Sequence, residues 1–413
     1  LYSLFFQKRK KKLKVNTSIG IFLIICFSLI GFKASAQEAG LSLQNAIDIA
    51  LKQYPTVEQS VLQTRQQEAL KSTATLMDPF TINSSFGQIN SKVFDYNTGV
   101  GQGFKLPGSY QAEQNLLKQN VNVALANEVV TKNDLIKKVS ESYYNWVYSQ
   151  KHYLLLIKTD SLYLEYENYA NKKYQLGESN KLEKINATLQ RHELRIQLAE
   201  ANTQLINNYT DLQTWMYTKQ LYKAPVEFNA LPEINLKDSS LVLNHPILQY
   251  IQQQILAKEL SIQAEKAKRQ VSFNVGVNAQ SLERESLFYY GSIGINIPLF
   301  NNGVKARTQA AKIETEIAKI ELDKTQQVVV NTFSQQLQLQ KQFGQQLDYY
   351  NKEGLALAET VINAAQRSYK SGDIGYIEYI QNLNAAIKIK TEYLNTLNNY
   401  NHSVIQLQYL LNK

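Results

Sequence analysis

The residues best suited to chemistry in this chain are few and far apart. Its four histidines, His152, His192, His245 and His402, share no short spacing, and Cys26 is the only cysteine. A zinc-type site needs such ligands clustered at fixed intervals. Two methionines, Met77 and Met216, cannot build a copper-handling cluster. There is no Gly-rich phosphate loop and no nucleophile elbow. No enzyme activity, cofactor or metal centre is predicted. What remains is charge: acids beside two glycine turns, Glu178 and Glu183 after Gly177, Asp373 and Glu378 after Gly372.

Those turns belong to a duplicated pattern, and self-similarity at a fixed period decides how a chain is read. Tyr54-Pro55 answers to His245-Pro246, Leu106-Pro107 to Ile297-Pro298, and Asn207-Asn208-Tyr209 to Asn398-Asn399-Tyr400, each 191 residues on. The turn Tyr174-Gln175-Leu176-Gly177-Glu178 answers to Tyr369-Lys370-Ser371-Gly372-Asp373, 195 residues on, so a small insertion is expected between hairpin and turn in the second copy. The repeats run over 37–224 and 244–413. A Pro-containing linker, 225–243, is expected to pack outside the helices with the C-terminal segment.

Each copy reads helix, β-hairpin, very long helix, turn, helix. Leu41 to Met77 is predicted helical, with Ser42 as N-cap and a break at Pro55. In the second hairpin Val271, Phe273, Val275, Val277 and Ala279 alternate with Ser272, Asn274, Gly276, Asn278 and Gln280. Its partner strand places Leu287, Tyr289, Ile293, Ile295 and Ile297 on one face. Phe80, Ile82 and Phe86, then Phe94, Tyr96, Val100, Phe104 and Leu106, repeat this more weakly. One apolar and one small or polar face is the dyad pattern of a membrane barrel with a wet lumen. It also suits a sheet on a soluble core. Four strands cannot close a barrel and would leave edges in lipid, whereas three chains give twelve strands and no edge. A homotrimer is predicted.

No proline falls between Pro107 and Pro225 and no glycine between Gly108 and Gly177, so a single helix of about 105 Å is expected up to the first turn. Ser179 to Tyr222 is read as the helix that follows. Along it Leu182, Ile185, Leu189, Ile196, Ala199 and Ile206 form one stripe, and Ala187, Leu194, Leu198, Ala201, Leu205 and Leu212 a second. Two seams on one helix call for two neighbours, as in a wall of helices. In the second copy Leu355, Ala358, Ile362, Ala365 and Tyr369 keep the spacing. The fold class is mainly α with a membrane β-barrel. A large soluble bundle would explain the stripes equally well, but not the hairpins.

Residues 1–36 read as a secretory signal peptide: a basic stretch from Lys8 to Lys14, an apolar run from Ile19 to Phe32, and Ala34-Ser35-Ala36 as a cleavage pattern. An N-terminal anchor is the alternative, although the run is short for a spanning helix. The formal charge of +9 falls to about +2 without this segment, which removes the case for a nucleic-acid partner. Cys26 leaves with it. A chain then free of cysteine needs no disulfide machinery outside the cytoplasm.

Taken together, these residues resemble the TolC family of outer-membrane efflux proteins, over about 41–413. The most specific pieces are Ile297-Pro298-Leu299-Phe300-Asn301-Asn302-Gly303, similar to the family's strand-to-helix junction, and Tyr369-Lys370-Ser371-Gly372 leading into Ile377-Glu378-Tyr379-Ile380-Gln381. Leu41-Ser42-Leu43-Gln44-Asn45-Ala46 and Tyr54-Pro55 fit its opening.

The resemblance implies a trimeric α-helical barrel under a twelve-stranded β-barrel, lying in the outer membrane of a Gram-negative bacterium and crossing the periplasm. It implies a passive exit duct for small molecules or metal ions. Its partners would be outer-membrane lipid, a periplasmic adaptor (membrane fusion) protein, and an inner-membrane transporter of the resistance-nodulation-division type. Pro107, Gly108, Pro298 and Gly303 would be barrel-to-helix junctions. Tyr174, Gly177, Glu178, Tyr369, Gly372 and Asp373 would form periplasmic tips that the adaptor touches. Glu378, and Glu183 at the matching place, would line the aperture as carboxylate rings favouring cations. Gln381 stands where some relatives carry a second acid. Phe80 and Phe104 on one side, and Phe94, Tyr96, Phe288, Tyr289 and Tyr290 on the other, are read as interfacial girdles. The alternatives are a type I protein-secretion outlet and a non-channel periplasmic scaffold.

Overall fold

A computed structural model describes residues 40–89, 92–235, 239–283, 285–299 and 302–413. The segment read as a signal peptide lies outside them, as do Phe300 and Asn301 of the junction motif. The order is α1 (Leu43–Gln53), α2 (Pro55–Leu70), β1 (Thr81–Gly87), β2 (Asp95–Lys105), α3 (Pro107–Gln175), α4 (Lys181–Met216), α5 (Pro246–Ala267), β3 (Ser272–Leu282), β4 (Glu285–Asn296), α6 (Asn302–Tyr349), α7 (Leu355–Ser371) and α8 (Tyr376–Leu411). Short 3-10 turns occupy Lys71–Thr75 and Ser239–Asn244.

Local chemistry sets these bounds. The Ser42 hydroxyl caps α1 by accepting from the Asn45 N–H at 3.2 Å. Pro55, Pro107 and Pro246 each occupy a first helical turn, where no N–H is needed. Helix α3 runs 69 residues without a break, about 100 Å. Its second-copy counterpart widens into a π turn at Tyr350–Gly354 before continuing as α7. There Gly354 leaves room for two rings: a Cβ would stand 3.1 Å from Tyr350 and 3.3 Å from Tyr349.

The repeat is visible in the elements. Helices α4 and α8 have 36 residues each. Both end on a left-handed residue, Tyr217 at φ 51° and Asn412 at φ 53°. These bounds lie 195 residues apart, so Asn207 corresponds to His402, and the match of Asn207-Asn208-Tyr209 to Asn398-Asn399-Tyr400 is out of step. Strands β2 and β4 end 191 apart, at Lys105 and Asn296, whereas α3 and α6 begin 195 apart. The insertion therefore sits at the second strand-to-helix junction. Pro107 opens α3, but Pro298 precedes α6 by four residues.

The four strands form one antiparallel sheet in the order β1-β2-β3-β4. Pairing of Phe104 with Phe273, and of Phe273 with Ile295, puts these residues with Ile82, Val100, Val275, Val277, Tyr289 and Ile293 on one face. The other face carries Asn83, Gly99, Gly101, Asn274, Gly276, Asn278 and Gln280. Phe288 pairs with Gln280 and Tyr290 with Asn278, so both lie on the polar face, not in an outer girdle. Successive strand residues point to opposite sides, and Tyr290 accepts a hydrogen bond there from the Asn97 amide at 2.8 Å.

The helices pack as seams. Helix α3 lies against α2 and α4 of its own copy and against α5 and α8 of the other. Of the two stripes on α4, Ala187, Leu194, Ala201 and Leu212 are buried, while Leu182, Ile185, Leu189, Ile196 and Ile206 are exposed. The segment after α4 lies along α6 and α8: the Leu231 N–H donates to Asn401 at 2.8 Å and the Gln340 amide to the Ile234 carbonyl at 3.2 Å.

Candidate functional site

The two glycine turns close the helical hairpins at the end far from the sheet. Gly177 has φ 75° and Gly372 φ 86°, the left-handed form that ends a helix without steric cost only in glycine. Both are wrapped alike: the Glu178 N–H donates to the Lys173 carbonyl and the Asp373 N–H to that of Ser368, each at 2.9 Å. Asn180 then caps α4 by accepting from the Glu183 N–H at 2.9 Å.

Beneath the turns sits a tyrosine cluster. Tyr369 stacks on Tyr379 with ring centres 4.8 Å apart, Tyr166 meets Tyr369 edge-on at 5.5 Å, and Tyr169 does so at 5.3 Å. The Lys173 ammonium stands 4.8 Å over the Tyr369 ring. Tyr163 donates to Asn384 at 2.6 Å. The Tyr369 hydroxyl donates to Glu183. Burial, that bond and the Glu183 charge together hold the Tyr369 phenol far above its ordinary range. Burial does the same to Tyr166, whose hydroxyl has no hydrogen-bond partner among the described residues.

Equivalent residues of the two copies thus part company. Tyr369 is 3% exposed and its counterpart Tyr174 39%. Glu183 is 8% exposed, turned under the hairpins onto Tyr369, whereas Glu378 and Gln381 lie on the exposed side of α8. Gly177, Glu178, Gly372 and Asp373 are exposed at the turns. Within the first hairpin Arg191 pairs with Glu167 at 2.8 Å and with Asp160 at 3.4 Å, and Lys370 of the second hairpin pairs with Glu165 of the first. The junction residues sit at the opposite end, where a Cβ on Gly108 would lie 3.3 Å from the Gln270 side chain and Gly303 stands in open space. The tyrosines Tyr163, Tyr166 and Tyr169 were not anticipated. Their spacing of three is the signal that was available.

Among the described residues, no group of His, Cys, Asp and Glu is placed to hold a metal ion. No described helix is long and apolar enough to cross a membrane.

Residues 239–413 match the family model described as outer membrane efflux protein. No curated protein sequence matches. Among solved structures, the chain is similar to the channel protein CusC, with a TM-score of 0.78 and 18% identity over 89% of this chain and 91% of that one. The CmeC outer membrane channel of Campylobacter jejuni superposes with a TM-score of 0.77 and 14% identity, covering 89% of this chain and 85% of its own. The MtrE outer membrane channel of Neisseria gonorrhoeae gives 0.75 and 18%, covering 90% and 89%.

Proposed function

With residues 239–413 matching the outer membrane efflux protein family and 89% of the chain superposing on solved outer-membrane channels, we propose that this chain is one third of an outer-membrane exit duct. The observation that carries the reading is the sheet. Its apolar face is bare, with Ile293 79% exposed, and among the described residues β1 and β4 have no partner on their outer edges. An apolar face suits lipid, but open edges do not survive there because each unpaired backbone group costs several kcal/mol. Three chains supply twelve strands and close the ring. The exposed stripe on α4 then meets a neighbouring chain, and the helices continue the duct below the membrane.

The duct is passive. An inner-membrane transporter, of the resistance-nodulation-division type, delivers small molecules or metal ions, and a periplasmic adaptor docks on the exposed turns at Gly177 and Gly372. Glu378, repeated three times around the axis, makes a carboxylate ring at the aperture that favours cations. Glu183 is engaged by Tyr369 and holds the tip together instead. Conductance of the detergent-extracted, folded protein in a planar bilayer tests this. Discrete ion-conducting channels are expected; a folded trimer that never conducts would favour a scaffold without a pore.

A further inference from the structure

The chain carries within itself a copy of the joint that links it to its neighbour. Its two repeats meet at β2 and β3, where Lys105 stands opposite Ser272, Phe104 opposite Phe273 and Val100 opposite Val277. Strand β4 ends at Asn296, 191 residues after Lys105, and β1 begins at Thr81, 191 before Ser272. We propose that β4 of one chain pairs antiparallel with β1 of the next in this same register, Asn296 opposite Thr81, Ile295 opposite Ile82 and Gly291 opposite Phe86. The proposal rests on the trimeric duct above and adds the rung at which it closes.

Three observations favour that rung. The first is facing: a slip of one residue would turn every side chain of the edge strand to the wrong side, whereas here Ile295 and Ile82 share the apolar face. The second is filling. Gly291 leaves a gap on the apolar face, and Phe86, 68% exposed on β1, would cover it as aromatic side chains cover strand glycines.

The third is closure. Thr81 lies opposite Gly101, Gly101 opposite Gly276 and Gly276 opposite Ser292. Joining Asn296 to the next Thr81 therefore advances the ladder four residues for every four strands. At about 3.3 Å per residue and 4.8 Å between strands, that stagger tilts the strands by about 35°, within the range closed barrels adopt. Joining Ser292 to Thr81 would give no stagger and no tilt.

The helices agree. Helix α3 packs on α5 of the second copy, with Gln119 donating to Gln253 at 2.8 Å. The equivalent of Gln119 is Glu314 on α6, an exposed residue, and the equivalent of Gln253 is exposed Leu62 on α2. Among the described residues, α6 packs against no α2 in its own chain.

Paired cysteines test the register in a Cys26→Ser background. Asn83→Cys with Gly294→Cys, and Ser84→Cys with Ile293→Cys, are neighbouring rungs, so one of them has the closer side-chain geometry. A Cβ at Gly294 meets nothing nearer than 3.7 Å. Mild oxidation of folded protein is expected to give covalent trimers with one of these pairs, and little product with Thr81→Cys plus Gly294→Cys or Ser85→Cys plus Gly294→Cys. Trimers by light scattering that cross-link only through a shifted pair, or through none, would overturn the register alone. Protein that is not trimeric would overturn the duct itself.

Discussion

The hydroxyl of Tyr369, the residue three before the second turn, donates to the carboxylate of Glu183, in the first helical turn after the first one. Two hairpins 186 residues apart in sequence are thereby tied at their tips. A hydrogen bond to a charged, buried acceptor contributes about 1.5–3 kcal/mol. Tyr369→Phe removes the donor and leaves Glu183 buried without it. Lower thermal stability and a larger single-channel conductance are expected. A variant with unchanged conductance and stability would show that the tie restrains nothing.

Glu378 lies exposed one and a half turns beyond the second turn. If three copies ring the aperture, Glu378→Gln removes three negative charges from the narrowest part of the duct. Reversal potentials in asymmetric salt are expected to lose cation preference while the trimer persists. An unchanged reversal potential would place this acid on the outer surface.

The sheet's two faces make opposite demands. Arginine at the middle of a lipid-facing strand costs about 2–4 kcal/mol, whereas a lumen position tolerates it. Ile293→Arg, on the apolar face, is expected to reduce the folded protein recovered from outer membranes, and Asn83→Arg, on the polar face, to leave it near normal. Equal recovery of the two would contradict the assignment of faces.

His245 links stability to pH. It is buried edge-on against Tyr409 at 4.8 Å, and its Nδ1 accepts from the Ile247 N–H at 3.2 Å. Burial first, with Lys137 adding to it and Asp134 opposing, lowers its pKa from 6.5 to about 4. Folding thus favours the neutral ring. Its contribution is complete above pH 6.5 and is lost as pH falls towards 4, up to about 3 kcal/mol. His245→Asn keeps a capping acceptor, and its unfolding free energy is expected to vary less between pH 7 and pH 4 than that of the parent chain. Equal slopes would assign the acid sensitivity to other groups.

Much of this fold can be read from residue types alone because its signals are local. Pro107 marks a helix start, Gly177 and Gly372 mark helix ends, and Phe273 to Ala279 alternate as a strand with one apolar face must. Choices made by tertiary packing were not legible. Nothing near Glu183 says that it meets Tyr369 rather than solvent, since its counterpart Glu378 has the same spacing from its turn and lies exposed. The cluster Phe288-Tyr289-Tyr290 reads as one girdle until the strand register sends its members to different faces. The insertion was expected, but only the ends of β4 and α6 locate it.

The central claim is a count: one chain supplies a third of a closed cylinder. Native mass spectrometry of the protein released from outer-membrane detergent micelles measures it directly. A single species of three chains, without free monomer, is the predicted result. A folded, helical monomer or dimer would leave the sheet's edges open and would contradict the account.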